Sequence, residues 1–206
     1  MSTNLDDNLF SIVTTVREQA DDLQQYLPQM LTQQLEVPYQ VIVVDESSSD
    51  GTADVLKSLK ANYSHLYSTF LPKYQFQKNR RRLAFTIGTK AAHGQWIILT
   101  NIDTTPQHDH WLKELQEFTS GSTILMLGYV NRKSGDVRLR TYDDISRASR
   151  IVTKAERWRA SGGHHRLMQA LRRSTRYDFI VVRADHAHEL LQLFALDPWL
   201  QVRKER

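Results

Sequence analysis

Two short apolar runs in this 206-residue chain end in side chains that could hold a charged ligand. Val41, Ile42, Val43 and Val44 pass into Asp45 and Glu46, then into Ser47, Ser48, Ser49, Asp50, Gly51 and Thr52. Residues 95–100 (QWIILT) pass into Asn101, Ile102 and Asp103. Between these runs, residues 73–82 read KYQFQKNRRR, a basic stretch with two aromatics. Hard oxygen donors such as Asp103 suit Mg²⁺ or Mn²⁺, and a diphosphate needs such an ion to mask its charge. Arginine makes forked contacts with phosphate, a role open to Arg81 or Arg82. Asp45 can accept hydrogen bonds from a nucleobase or ribose. Each residue alone also has a plain structural explanation: Asp45 as a turn former, Asp103 as a helix cap, the arginines as a solvated face. The ordered set is harder to explain that way.

The elements that must position these residues alternate between strand and helix. Residues 10–16 (FSIVTTV) predict a first strand. Leu23, Tyr26, Leu27, Met30 and Leu31 recur at helical spacing, so a helix follows to about residue 34, with Pro28 bending it or marking its first turn. The β-branched run 41–44 reads as a buried parallel strand, and Ser and Asp after it suit the start of a helix over 53–63. Further strands are predicted at 66–71, 95–100, 122–130 and 177–182. Further helices are predicted at 83–93, stopped by Gly94, around 111–118, and at 187–194. The pattern predicts an α/β fold, a mostly parallel sheet with right-handed crossovers and helices on both faces. In such a sheet, ligands gather at the carboxyl ends of the strands.

Composition narrows the function classes. The absence of cysteine excludes disulfides and thiolate metal sites and suits a cytoplasmic protein. No apolar run approaches the roughly 20 residues of a membrane span, and the polar start MSTNLDDNLF does not read as a secretory signal. Charge is divided along the chain. Residues 1–130 carry 10 Lys and Arg against 14 Asp and Glu, whereas residues 131–206 carry 17 against 9. The basic half is mostly arginine, but it lacks interleaved aromatics and any nucleic-acid motif, so no nucleic-acid partner is expected.

A family resemblance rests on particular residues. Ser11-Ile12-Val13, Leu27-Pro28 with Gln33, the segment from Val41 to Thr52, residues 83–94 (LAFTIGTKAAHG), and Asn101-Ile102-Asp103 with Pro106 and Trp111-Leu112 resemble the family 2 glycosyltransferases in order and spacing. The closest look is to bacterial members of cell-surface polysaccharide synthesis, and the resemblance covers about residues 10–130. It implies the Rossmann-like GT-A fold, with residues 1–130 as the nucleotide-sugar-binding core. Residues 131–206 would be a short basic part completing the same domain on the acceptor side. Thr14, Val16 and Glu18, at the end of the first strand, would border the nucleobase. Asp45 would bind the base, with Ser47 beside it, and Arg82 would meet phosphate. Asn101 and Asp103 stand at the family's Asp-x-Asp motif, with Asp103 the ligand of Mn²⁺ or Mg²⁺.

The implied reaction is inverting transfer from a nucleotide-diphosphate sugar to a hydroxyl of a saccharide or lipid-linked acceptor, assisted by a carboxylate base. Tyr142-Asp143-Asp144 holds the paired carboxylates of the basic part, so Asp144, then Asp143, is the candidate base; an exposed turn is the structural alternative. Asn101 stands where the family has Asp and lacks its charge. Glu18-Gln19 replaces the usual Asn-Glu, and Ala84-Phe85-Thr86 the usual Ala-Arg-Asn. A second reading is therefore a GT-A-fold protein that binds the donor without turnover, as a partner subunit. Residues 154–158 (KAERW) faintly echo a synthase motif, and His164-His165 read as part of a loop. The basic part also predicts peripheral contact with an anionic membrane. The expected outcome is co-sedimentation with anionic vesicles at low salt and release at high salt; no sedimentation at low salt would remove this expectation.

Overall fold

A computed structural model describes residues 9–73, 80–104, 108–131, 134, 136–146 and 177–193. The Lys154–Trp158 stretch and the His164-His165 pair lie outside the described residues. Seven strands form one sheet: β1 (Phe10–Val16), β2 (Tyr39–Asp45), β3 (Leu66–Phe70), β4 (Trp96–Asn101), β5 (Leu125–Val130), β6 (Val137–Tyr142) and β7 (Phe179–Arg183), in the order β3-β2-β1-β4-β7-β5-β6. β1 pairs in parallel with β2 and β4, and β2 with β3. β7 enters between β4 and β5, antiparallel to both, and β6 closes the edge antiparallel to β5. The sheet is thus mixed, with its first four strands parallel as expected.

Among the described residues five helices cover it: α1 (Ala20–Leu31), α2 (Thr52–Asn62), α3 (Arg80–Lys90), α4 (Trp111–Gln116) and α5 (Ala187–Leu193), the last preceded by a 3₁₀ turn at Ala184–His186. Strand side chains alternate between faces, and the core divides accordingly. One face carries Val13, Ile42, Val44 and Leu99 under α3 and α5. The other carries Ile12, Val41, Val43 and Ile98 under α1, α2 and α4. Leu23, Leu27 and Met30 of α1 are fully buried there, each contributing about 1.5–3 kcal/mol of apolar transfer.

Three departures from the sequence reading have local causes. α1 starts at Ala20 and ends at Leu31, with Pro28 inside its last turn and Thr32 N–H bonded to the Pro28 carbonyl. α3 starts at Arg80, so the end of the basic stretch is the first turn of a helix rather than a loop. β6 was not expected at all, although VRLRTY alternates apolar and polar residues; its half-buried and exposed positions show an edge strand with one wet face.

Gly88 sets how closely α3 lies on the sheet. A Cβ there would stand 2.3 Å from Val13 Cγ1 and 3.1 Å from Val44 Cγ2. The missing side chain lets the α3 backbone rest on β1 and β2. That contact holds the helix so that its arginine-bearing N-terminus meets the carboxyl edge of β2.

Candidate active site

β1, β2 and β4 lie side by side, and all three point their carboxyl ends the same way. Which side chains can meet there follows from strand parity. Val13 and Val44 face α3, so Thr15 and Glu46, two residues further on, face it too. Asn101 falls on the same face, two residues after Leu99. The electrostatics agree: the Thr15 hydroxyl favours the charged form of the Glu46 carboxylate. Glu46 is only 8% exposed. Its backbone N–H bonds to the Val16 carbonyl at 2.8 Å, which extends the β1–β2 pairing past Asp45.

Thr14, Val16 and Asp45 have the opposite parity. Val16 is part of the core under α1 and α2. Thr14 is fully buried, and its hydroxyl has no hydrogen-bond partner. Asp45 Oδ1 accepts from Ser48 N–H at 2.9 Å and from Ser48 Oγ at 2.6 Å, which makes it a turn former. Glu18 also ties loops together. Its Oε1 accepts from the N–H and hydroxyl of Ser49 at 2.9 and 3.0 Å, and its own N–H donates to Ser48 Oγ at 2.9 Å. Asp50 completes the junction by capping two helices: Oδ2 accepts from Ala20 N–H at 3.0 Å, Oδ1 from Thr52 N–H at 3.1 Å and its hydroxyl at 2.5 Å. Burial raises the Asp50 carboxyl, but the hydrogen bonds from Thr52 and Ala20 outweigh it and hold the group below its ordinary range.

The serine-rich loop therefore fixes the β1–α1 and β2–α2 connections to one another. Glu18 and Ser47 hold positive φ values of 51° and 65°, a conformation uncommon outside glycine. Both flank the carboxyl edge, where backbone strain is characteristic of binding loops.

Three arginines open α3, against the preference of a helix N-terminus for negative charge. Arg80 offsets this by donating to the Glu46 carbonyl at 2.9 Å and to Ser47 Oγ at 3.2 Å. Ser47 in turn donates its hydroxyl to the Leu71 carbonyl. Arg81 lies over the Phe85 ring, with Cζ 5.7 Å from its centroid. Arg82 is half-buried, and its carbonyl accepts the Thr86 hydroxyl at 2.8 Å. Burial, the strongest influence, pushes the Glu46 carboxyl above its usual range; the Thr15 hydroxyl and Arg81, Arg80 and Arg17 pull it down without cancelling the rise.

At the end of β4, Asn101 is buried and its Oδ1 has no hydrogen-bond partner. Asp103 is half-buried and accepts the Thr104 hydroxyl at 3.1 Å. An orphaned buried carboxamide oxygen beside a carboxylate fits a divalent cation with oxygen ligands. Register separates Asp143 and Asp144 from this end. Tyr142 pairs with Leu125, Leu125 with Val182, and Val182 with Ile97. The two acids therefore leave the sheet at the amino end of β4, three strand spacings and about 14 Å to the side. They are exposed and are not brought to the Asn101–Asp103 end. Phe179 pairs with Thr100, so Asp178 is the carboxylate level with Asn101. Its Oδ2 accepts from Val130 N–H at 2.9 Å.

Residues 11–182 match the profile of glycosyl transferase family 2. The chain belongs to that family. Solved structures agree on the GT-A fold. A glucosyl-3-phosphoglycerate synthase from Mycobacterium tuberculosis, in complex with Mn²⁺, UDP and glucosyl-3-phosphoglycerate, superimposes with a TM-score of 0.52 at 13% identity, over 86% of this chain and 57% of that one. A second mycobacterial protein gives 0.53 at 12% identity, over 86% and 54%. The mannosyltransferase PcManGT from Pyrobaculum calidifontis, in complex with GDP-Man and Mn²⁺, gives 0.51 at 14%, over 61% and 36%. The chain thus spans between 36% and 57% of the length of these structures. A search of curated protein sequences finds no match. Among the described residues no helix is long and apolar enough to cross a membrane.

Two adjacent acids, Asp45 and Glu46, follow the apolar run of β2. The sequence reading chose the first acid, whereas the fold brings the second to the α3 face. Counting alternate residues from the apolar run would have picked out Glu46 and Thr15. A pH test follows from the burial of Glu46. A carboxyl raised in the folded state binds its proton more tightly there than in the unfolded chain, so folding stability falls as pH rises from its ordinary value of 4.5 toward the folded value. Glu46→Gln should therefore gain stability relative to wild type between pH 4 and neutral pH in denaturant melts. A stability difference that is flat with pH, or that moves against the variant, would contradict this account of the site.

Proposed function

We propose that this family 2 chain transfers a sugar from a nucleotide-diphosphate sugar to an acceptor hydroxyl, with inversion, as part of saccharide or glycolipid assembly. The observation that supports the reading is that Thr15, Glu46 and Asn101 share one face of the sheet's carboxyl edge, with the arginine turn of α3 against Glu46 and Asp103 in the turn that follows Asn101. Glu46 accepts hydrogen bonds from the base or ribose, and Thr15 holds its carboxylate in place. Asp45 and Glu18 keep the two loops around it in shape. Arg82 and Arg81 supply positive charge where the diphosphate lies.

Asn101 and Asp103 would hold a divalent cation, Mn²⁺ or Mg²⁺, which when bound neutralises charge on the departing diphosphate. The complexes of PcManGT and the synthase with Mn²⁺ support that assignment. The acceptor hydroxyl must give up its proton to a carboxylate as it attacks. Asp178 takes that role in this reading, in place of Asp143 and Asp144, because register sets it level with Asn101. A second reading rests on Asn101: a pair with one charge instead of two holds the cation less tightly, which favours a chain that binds donor without turning it over.

Calorimetry separates these readings. Titration with UDP, GDP and their common sugars should show binding that Mn²⁺ strengthens. Asp103→Ala should weaken it at least tenfold, about 1.4 kcal/mol, and Asp178→Asn should keep binding while losing turnover. Binding without turnover across a panel of acceptors would favour the second reading, and absence of nucleotide binding by the folded protein would overturn both.

A further inference from the structure

We propose that His108, His110 and Glu114 form a second metal site, one for a zinc-class divalent ion, at the edge of the sheet opposite the donor end. Glu114 lies one turn of α4 beyond His110, and its N–H bonds to the His110 carbonyl at 3.1 Å, which stacks the two side chains on one side of the helix. The His108 and His110 rings lie face to face, with centroids 4.1 Å apart and planes 22° apart. Both Nε2 atoms approach one carboxylate: His108 stands 3.8 Å from Glu114 Oε2 and His110 stands 3.7 Å from Oε1.

Those separations are too long for hydrogen bonds. They are close to what an ion between the three groups requires. Zinc bonds of about 2.0–2.1 Å in a tetrahedron set ligand atoms about 3.3 Å apart, and one donor atom from each of these residues lies within 4.8 Å of the others. Closing the set takes a contraction of up to about 1.5 Å and a turn of the stacked rings that brings one ion into both ring planes.

The surroundings orient the rings for this role. Asp109 Oδ1 lies 3.3 Å from His110 Nδ1, and its Oδ2 accepts from the Gln34 amide. A carboxylate on Nδ1 holds the proton there and leaves Nε2 free to bind metal. His108 Nδ1 is sealed from solvent without a hydrogen-bond partner, so Nε2 is its available atom. Gln33 fixes the backbone on both sides: its amide donates to the His108 carbonyl at 3.1 Å, and its Oε1 accepts from Leu112 N–H at 3.3 Å.

Two imidazoles and one carboxylate make a mixed nitrogen and oxygen set with a coordination position left over, which suits zinc better than Mg²⁺ or Mn²⁺. An open cleft of about 450 Å³, lined by Gln29, Thr32, His108 and Asp109, adjoins the site and leaves room for water or another ligand. The place is remote from the donor. Gln33 N–H bonds to the Tyr39 hydroxyl at 3.1 Å, and Tyr39 opens β2 at the amino edge. α1 runs between the two edges, about 18 Å for its 12 residues. All three ligands lie within residues 108–114, so an ion here would fix the start of α4 and the segment that leads into it.

The test is a Zn²⁺ titration of tag-free, chelator-stripped full-length protein, read by calorimetry and by the visible spectrum of the Co²⁺ form. The expected result is one tight equivalent in wild type and in Asp103→Ala, with a four-coordinate Co²⁺ spectrum. Binding should weaken at least tenfold in His110→Ala and in Glu114→Gln, and roughly 10–100-fold in Asp109→Asn. His110 and Glu114 are 55% and 42% exposed, so their variants should keep the wild-type circular dichroism without metal; if one misfolds, the other decides. Three results would overturn the site: no tight equivalent in wild type, unchanged binding in the folded variants, or loss of the equivalent in Asp103→Ala or in a His164→Ala, His165→Ala variant instead.

Discussion

The parallel pairing of β1 between β2 and β4 decides which side chains can act together. With three strands in register and side chains alternating by two, the choice of face at one residue fixes it along the whole strand. Val13, Val44 and Leu99 lie under α3 and α5, and this commits Thr15, Glu46 and Asn101 to meet at the carboxyl edge. A shift of one residue would exchange them for Thr14, Asp45 and Thr100, which face the helices of the other layer. The apolar core and the polar site are thus consequences of the same pairing.

The cost of that arrangement is concentrated in a few places. Glu46 gives up hydration beneath the helix, three arginines sit at the wrong end of a helix dipole, and Asn101 leaves an oxygen without a partner. These features destabilise a free protein, and each would be relieved by a ligand that brings its own hydrogen-bond donors, negative charge and cation. A nucleotide diphosphate with a metal ion has those properties. The serine-rich loop bears the opposite stamp. Asp45, Glu18 and Asp50 each accept hydrogen bonds from the loops beside them.

Much of this was legible in the residues. The β-branched run 41–44 and the apolar run 95–100 gave buried strands, and their polar ends lie at the carboxyl edge of the sheet. Family motifs picked out the same edge. Parity was the information passed over: a motif names a segment, but only the alternation of the core residues says which of two adjacent acids is turned inward. Asp143 and Asp144 lie away from the Asn101 end for a related reason. Two charged residues in a basic region look chemical in one dimension, while β6 carries them to the far edge through pairings with β5 and β7 that no local pattern reveals. The junction of Gln33 with the start of α4 was likewise invisible, because its partners are 75 and 79 residues away in the chain.

The most direct test of the central claim compares two adjacent hydroxyls. Thr14→Val and Thr15→Val change the same atom to the same methyl group, one on each face of β1. If the α3 face is the donor face, Thr15→Val weakens binding of the cognate nucleotide sugar by roughly tenfold, and Thr14→Val leaves the affinity at its wild-type value. Loss of binding in Thr14→Val with none in Thr15→Val, measured by calorimetry on folded proteins, would place the donor on the other face and contradict the account.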